Sequence, residues 1–387
     1  MQLSDGRILT THAGSLPRPK ALTELYARRS AGEPVNLSLL DQEARAAVRW
    51  SLAKQREAGI DVPNNGEQTR EAFFRYVVNR MSGFGGRWAR KPFADTLRYP
   101  EYAAQLRSYF TGRTMVTNRE PPVAQAAIRY ADRGPLDAEL ADFRAALAEA
   151  GWAVADAFMT APSPGIVAAA MRNDVYPSED EYLAALADAL KVEYEAAAKA
   201  GFVLQIDAPD LAMERHIAYA DRPLSEFVDF VVKVVASINR ALENVPAEQA
   251  RLHVCWGNYE GPHDLDVALE TVLPALLEAK VGALVLPFAN PRHQHEPDVL
   301  KRIRLKPGQA LVAGVIDTTT NYVEHPEVVA ERLVRCAEAV GDPRLVLACT
   351  DCGFDTAAGM GRVAADVVWA KLRAMRDGAD IASKRLF

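Results

Sequence analysis

His253 and Cys255 stand two residues apart in Arg251-Leu252-His253-Val254-Cys255-Trp256-Gly257. On a β-strand that spacing sends both side chains to one face, and an imidazole beside a thiolate is half of a zinc site. The other half can come from a second apolar run, Leu345 to Phe354, which ends in Cys349 and Cys352. Taken alone, the first stretch also reads as a buried histidine beside a buried cysteine. Two apolar runs that each close in thiols put the metal centre on an equal footing with that plainer reading.

These residues need a frame. Short apolar runs that end in Gly, Pro, Ser, Asn or Asp alternate with long Ala/Leu/Glu-rich segments of helical period, the mark of repeated βα units around a parallel sheet. Candidate strands end at Thr10 to Ser15, Ile60 to Glu67, Phe158 to Ser163, Val203 to Asp207, Leu252 to Cys255, Leu284 to Phe288, Leu311 to Asp317 and Leu345 to Cys352. That is the number of strands in a (β/α)8 TIM barrel. Amphipathic helices are expected over 39–58, 179–200, 223–243, 264–280, 326–340 and 357–376. One domain spans 1–387, with an insert of about residues 80–150 between the second and third strands. Within it, Arg113 to Tyr130 suggests a hairpin outside the barrel.

Active sites of such barrels lie at the C-terminal strand ends. Gathered there are His12, Ser15, Glu67, Ser163, Asp207, His253, Cys255, Asp317, Asp351 and Cys352. Glu67 also reads as a solvent-facing loop acid and Asp207 as a helix N-cap.

Composition narrows the function classes. A net charge of −6 with interspersed signs argues against a nucleic-acid groove. The chain has no long apolar run and its first residues lack a signal-peptide core, so a cytoplasmic protein without membrane insertion is expected. Four cysteines in 387 residues are too few for a disulfide framework and are free for metal or nucleophilic work. No Gly-x-Gly-x-x-Gly after a strand, Walker loop or Gly-x-Ser-x-Gly elbow occurs. The partners expected are a small thiol and an alkyl donor, with homo-oligomerisation left open.

Thr11-His-Ala-Gly-Ser-Leu-Pro-Arg-Pro19, Gly66-Glu67, Gln205-Ile-Asp-Ala-Pro209, His253-Val-Cys255 and Asp351-Cys-Gly-Phe354 occur in that order at the strand ends. In these fragments the chain resembles the cobalamin-independent methionine synthase family, specifically its catalytic barrel and short single-barrel relatives. The resemblance implies a zinc ion that binds a thiol, lowers its pKa and presents the thiolate to an alkyl donor. It implies His253, Cys255 and Cys352 as zinc ligands. Gly14 and Ser15 would hold an amino-acid carboxylate, and Glu67 and Asp207 its ammonium group. His12, Ser163 and Trp256 complete the implied substrate pocket, with Asp317 and Asp351 as catalytic acids.

The chain departs from the family pattern in three places. Pro287 occupies the position of a further glutamate ligand, leaving the fourth zinc position to substrate or water, or to Cys349, His293 or Glu296. Thr319 stands where the family has a proton-donor histidine, and a threonine is a poor general acid at neutral pH. Met213 replaces a folate-side glutamate, with Glu214 next to it. The chain is also shorter than the two-barrel synthases, which favours a methyl carrier protein or a small electrophile as donor.

The leading expectation is zinc-dependent S-methylation of homocysteine to methionine. Its rival within the class is epoxide opening by a thiol of the coenzyme M type, and outside it a non-catalytic barrel that binds a thiol or metal. His293-Gln-His295 with Glu296 reads either as a second metal cluster or as a solvated loop group. Arg18 and Arg292 read either as anion-binding or as surface pairs.

Overall fold

The computed structural model describes residues 1–117 and 120–387. Strands β1 (Met81–Gly85) and β2 (Val123–Tyr130) form an antiparallel ribbon. The frame is a parallel sheet of β3 (Phe158–Pro162), β4 (Val203–Asp207), β5 (Ala250–His253), β6 (Ala283–Pro287), β7 (Ala310–Ile316) and β8 (Val346–Thr350), each beside its successor in the chain. Every residue of these six strands is buried. That explains why they read as unbroken apolar runs rather than alternating ones, since helices cover one face and the barrel interior the other.

The first two expected strands form no regular ladder, yet they occupy the first two staves. Thr11 N–H donates to the Ala348 carbonyl (2.8 Å) and Ala348 N–H to that of Leu9 (2.8 Å). Val62 N–H donates to Thr10 (3.0 Å), and Phe158 N–H to Pro63 (3.0 Å). The hydrogen bonds therefore run from β8 through 9–11 and 61–63 to β3. The irregularity is local in origin: the Asp61 carboxylate takes the Thr10 N–H (2.9 Å) and hydroxyl (3.1 Å), and Pro63 has no N–H to give.

Helices follow the strands as expected, capped by polar side chains at Asn36, Ser178 and His325. Two differ from expectation. The helix expected over 264–280 is Leu269–Leu276, because Asp264 and Asp266 are drawn to side chains outside it. The last helix is Ala365–Leu386 rather than 357–376, because Ala358 exchanges backbone hydrogen bonds with Val116 (2.8 Å) and Glu71 (2.9 Å).

The insert also pairs differently. Arg113 to Tyr130 is not a hairpin in itself; Val123–Tyr130 pairs with Met81–Gly85, with Met81 opposite Tyr130. Pro121 and Pro122 precede the strand instead of turning it, and Asn118 and Arg119 lie outside the described residues. Helix Gly134–Ala150 of the insert brings Glu139 against the barrel, where it accepts from Arg70 Nε (2.9 Å), an Arg80 guanidinium N–H (2.7 Å) and Asn65 Nδ2 (3.1 Å). Among the described residues no helix is long and apolar enough to cross a membrane.

Candidate active site

His253 is the last residue of β5, Cys255 lies two residues beyond, and Cys352 lies two beyond the end of β8. All three are buried, and their donor atoms lie within 4.8 Å of one another. The Cys255 and Cys352 sulfurs are 3.9 Å apart. Two thiolates at zinc's usual bond length of about 2.3 Å in a tetrahedron lie about 3.8 Å apart, so the spacing fits such an ion. Among the described residues no fourth His, Cys, Asp or Glu joins this group.

The electrostatics of the three residues are linked. Burial opposes charge on His253, but hydrogen bonds to Asp207 and Cys255 carry its pKa up to about 10. The hydrogen bond from Cys352 and, against burial, that from His253 hold Cys255 well below the ordinary thiol range. Cys352 is pushed up by the same contact with Cys255 and by burial. The result is an imidazolium beside a thiolate, positions that suit a cation and its ligands. Asp207 Oδ1 accepts from His253 Nδ1 (2.9 Å) and from Gln205 Nε2 (2.7 Å). This fixes the imidazole so that Nε2 is the nitrogen left for a metal.

Beside this group the irregular staves place a polar cradle. Asn64 Oδ1 accepts from Gly66 N–H (2.6 Å) and Asn65 Oδ1 from Glu67 N–H (2.9 Å), winding the chain so that Glu67 points inward. Glu67 adopts φ 56°, unusual for a residue with a side chain. Its Oε1 accepts from Thr160 (2.9 Å), while Oε2 is buried with no partner. Burial and the nearby Asp207 charge raise its pKa to about 7. Gly14, at φ 128°, lets the backbone pass this carboxylate; a Cβ there would lie 2.7 Å from Glu67 Oε1. Ser15 is buried against Gly353, and its carbonyl accepts from Phe354 N–H (2.8 Å).

The other expected residues sit as follows. His12 accepts from Gly14 N–H (3.3 Å) and donates to Gln55 (2.9 Å); burial lowers its pKa to about 4, so it is neutral. Ser163 caps helix Pro164–Ala170 and donates to Asp210 (2.7 Å). Trp256 donates its indole N–H to the Val267 carbonyl (2.7 Å) and lines a small pocket with Cys255, Cys352, Pro287, Asp317, Thr319 and Asp351. Asp317 caps its own turn, accepting from Thr319 and Thr320. Asp351 accepts the N–H groups of Phe288, Ala289 and Asn290 (3.1, 2.9 and 2.8 Å), and burial raises its pKa to about 7. Cys349 is buried in the barrel interior, where burial pushes its thiol up to about 12. Glu214 pairs with Arg90, and Arg18 is buried on Asp355 (2.9 Å) rather than exposed.

Sequence reasoning missed Asn258, Asn290 and His263, which also line the pocket. His263 and Asp266 form a His-x-x-Asp pair in the segment after β5, where Asp266 lies inside the helical period expected over 264–280 and His263 just before it.

The family model described as "Cobalamin-independent synthase, Catalytic domain" matches residues 96–380. A methionine synthase of Thermococcus kodakarensis is 29% identical over 350 residues, covering 89% of this chain and 86% of that protein. One of Saccharolobus solfataricus is 26% identical over 380 residues, covering 97% and 95%. Among solved structures, a B12-independent methionine synthase from Shewanella sp. W3-18-1, in complex with selenomethionine, aligns with a TM-score of 0.75 at 24% identity, covering 98% of this chain and 99% of that one. With the family model spanning most of its length and the strand-end residues arranged as described, this chain belongs to the cobalamin-independent synthase family through its catalytic domain.

Proposed function

We propose that this chain, acting as one barrel domain, methylates the sulfur of homocysteine to give methionine, with zinc held by His253, Cys255 and Cys352. The observation that carries the reading is the meeting of one imidazole and two thiols from β5 and β8 in a single buried group. Zinc there supplies the Lewis acidity that keeps a substrate thiol deprotonated near neutral pH. The names of the archaeal relatives support the assignment of acceptor and product.

The protein's own side chains bind and orient the substrate. The unpartnered Glu67 oxygen takes the ammonium group, and the Gly14-Ser15 turn takes the carboxylate. Asp207 keeps the His253 Nδ1 proton in place. Asp351 and Asp317 fix the turns that floor the pocket, and Trp256 walls it. The sulfur–carbon bond forms as the bond from methyl to donor breaks, and the thiol proton leaves. Pro287 contributes no donor atom, so a zinc ion held by His253, Cys255 and Cys352 would have a position left for the substrate sulfur. The donor is a methyl carrier protein or a small electrophile.

Acceptor competition tests this. Zinc-loaded protein given homocysteine, coenzyme M and other thiols with a panel of methyl donors and epoxides is expected to form methionine, and a Cys255→Ser variant to form none. Absence of methionine with every methyl donor would reject the assignment.

A further inference from the structure

A second cluster of donors borders the same pocket. Asp266 Oδ2 accepts from His263 Nδ1 (2.8 Å) and from His293 Nε2 (2.9 Å). The donor atoms of these three residues lie within 4.8 Å of one another. His216 faces Asp266 Oδ1 at 3.4 Å, and neither its ring nitrogens nor that oxygen has a hydrogen-bond partner, although His216 is only 1% exposed. His295, in the cluster expected from the sequence, is exposed and plays no part; His263, Asp266 and His216 take its place around His293.

We propose that Asp266, His263 and His293 form a second divalent-metal site distinct from the thiolate centre, with His216 beside Asp266 in its outer shell. Three features carry this. Each of the two hydrogen-bonded imidazoles has its other nitrogen on an acceptor: His293 Nδ1 on Glu296 (2.9 Å) and His263 Nε2 on the Tyr259 carbonyl (3.0 Å). Such outer contacts orient metal-ligating histidines.

The second feature is charge. All four of these ring nitrogens face acceptors, and the two inward ones converge on one carboxylate oxygen, a buried arrangement whose polarity suits a cation between them. The third is rigidity. Trp256 stacks on His293 (4.0 Å between ring centroids) and Tyr259 lies over His263 (4.2 Å), holding both rings in place. The unpartnered His216 nitrogens are the observation that a closed hydrogen-bonded strut leaves unexplained.

Imidazole and carboxylate donors without thiolate suit a borderline ion of the zinc, cobalt, nickel or iron(II) group. The ligands come from the segments after β5 and β6, and His263 and His293 line the same pocket as Cys255 and Cys352, so the second ion would border that pocket too. The inference does not rest on the thiolate centre or on the acceptor being homocysteine.

Cobalt(II) is the probe. Full-length protein is stripped of metal and dialysed against cobalt, and bound metal is counted while the absorption spectrum is recorded. The wild type is expected to bind two equivalents, one with a thiolate-to-cobalt charge-transfer band and one with ligand-field bands alone. The Cys255→Ser/Cys352→Ser variant should retain the second. Asp266→Asn should retain the charge-transfer band and weaken the second site by more than the ~10–100-fold that loss of an outer-shell partner costs.

A wild type that binds cobalt only with the thiolate band, or a thiolate-free equivalent indifferent to Asp266→Asn, would overturn the proposal. The wild-type count and the Asp266→Asn spectrum decide the matter even if the double serine variant does not fold. A missing charge-transfer band with the second site intact would count against the thiolate centre alone.

Discussion

Glu67 offers a test in which stability and binding must move in opposite directions. Its carboxylate is buried, with one oxygen unpartnered, and its pKa is raised from 4.5 to about 7 by burial and by Asp207. At about 1.4 kcal/mol per unit, the ionised form costs the empty protein ~3 kcal/mol. Because the folded value lies above the unfolded one, the stability is fully present below pH 4.5 and is lost as pH rises through about 7. Glu67→Gln keeps the shape and the same φ 56° backbone and removes the charge.

The variant is therefore expected to unfold at higher urea than the wild type at pH 8, by up to ~3 kcal/mol, with the difference nearly gone at pH 4.5. Its affinity for the amino-acid thiol, by calorimetry, should fall by ~2–3 kcal/mol, about 30–150-fold. The same thiol without its amino group should bind wild type and variant alike. A variant less stable than wild type at pH 8, or one that weakens the thiol with and without its amino group equally, would refute the reasoning.

Glu139→Ala should destabilise by ~3–5 kcal/mol in urea unfolding, because it leaves the buried Arg70 without its carboxylate and Arg80 with Glu193 alone. Those guanidiniums outweigh burial and hold Glu139 well below the usual carboxylate range, so its contribution is present above the unfolded value of 4.5 and drains away as pH falls below it; a pH series of unfolding midpoints checks this. Gly14→Ala would place a Cβ 2.7 Å from Glu67 Oε1 and 2.9 Å from the Thr160 methyl at φ 128°. It should cost ~1–3 kcal/mol and raise KM for the amino-acid thiol, while metal content by elemental analysis is unchanged.

The parallel strands were legible because burial on both faces makes them continuous apolar runs, most of them closed by a polar or turn-forming residue. His253, Cys255 and Cys352 were legible for the same reason: their chemistry stands out at strand ends. What the sequence hid was made by long-range pairing. The partner of Val123–Tyr130 lies about forty residues earlier, at Met81–Gly85, across two helices. The His263/Asp266/His293/His216 group draws on three separate loops, and a helical period over 264–280 masked Asp266. The part played by Glu139 beneath Asn65 and Arg70 was invisible for want of any local motif.

The two staves without a ladder carry Gly14, Ser15 and Glu67, whereas His253, Cys255 and Cys352 sit at or just past the ends of β5, laddered on both sides, and β8, laddered to β7. On the function proposed above, ion and amino acid would be gripped by different arcs of the wall, one laddered and one held by a few bonds. Amides along 8–13 and 60–67 should trade their hydrogens sooner than those of β5 and β8. Changes confined to the looser arc can retune which acceptor is taken while the coordination of the ion is passed on intact.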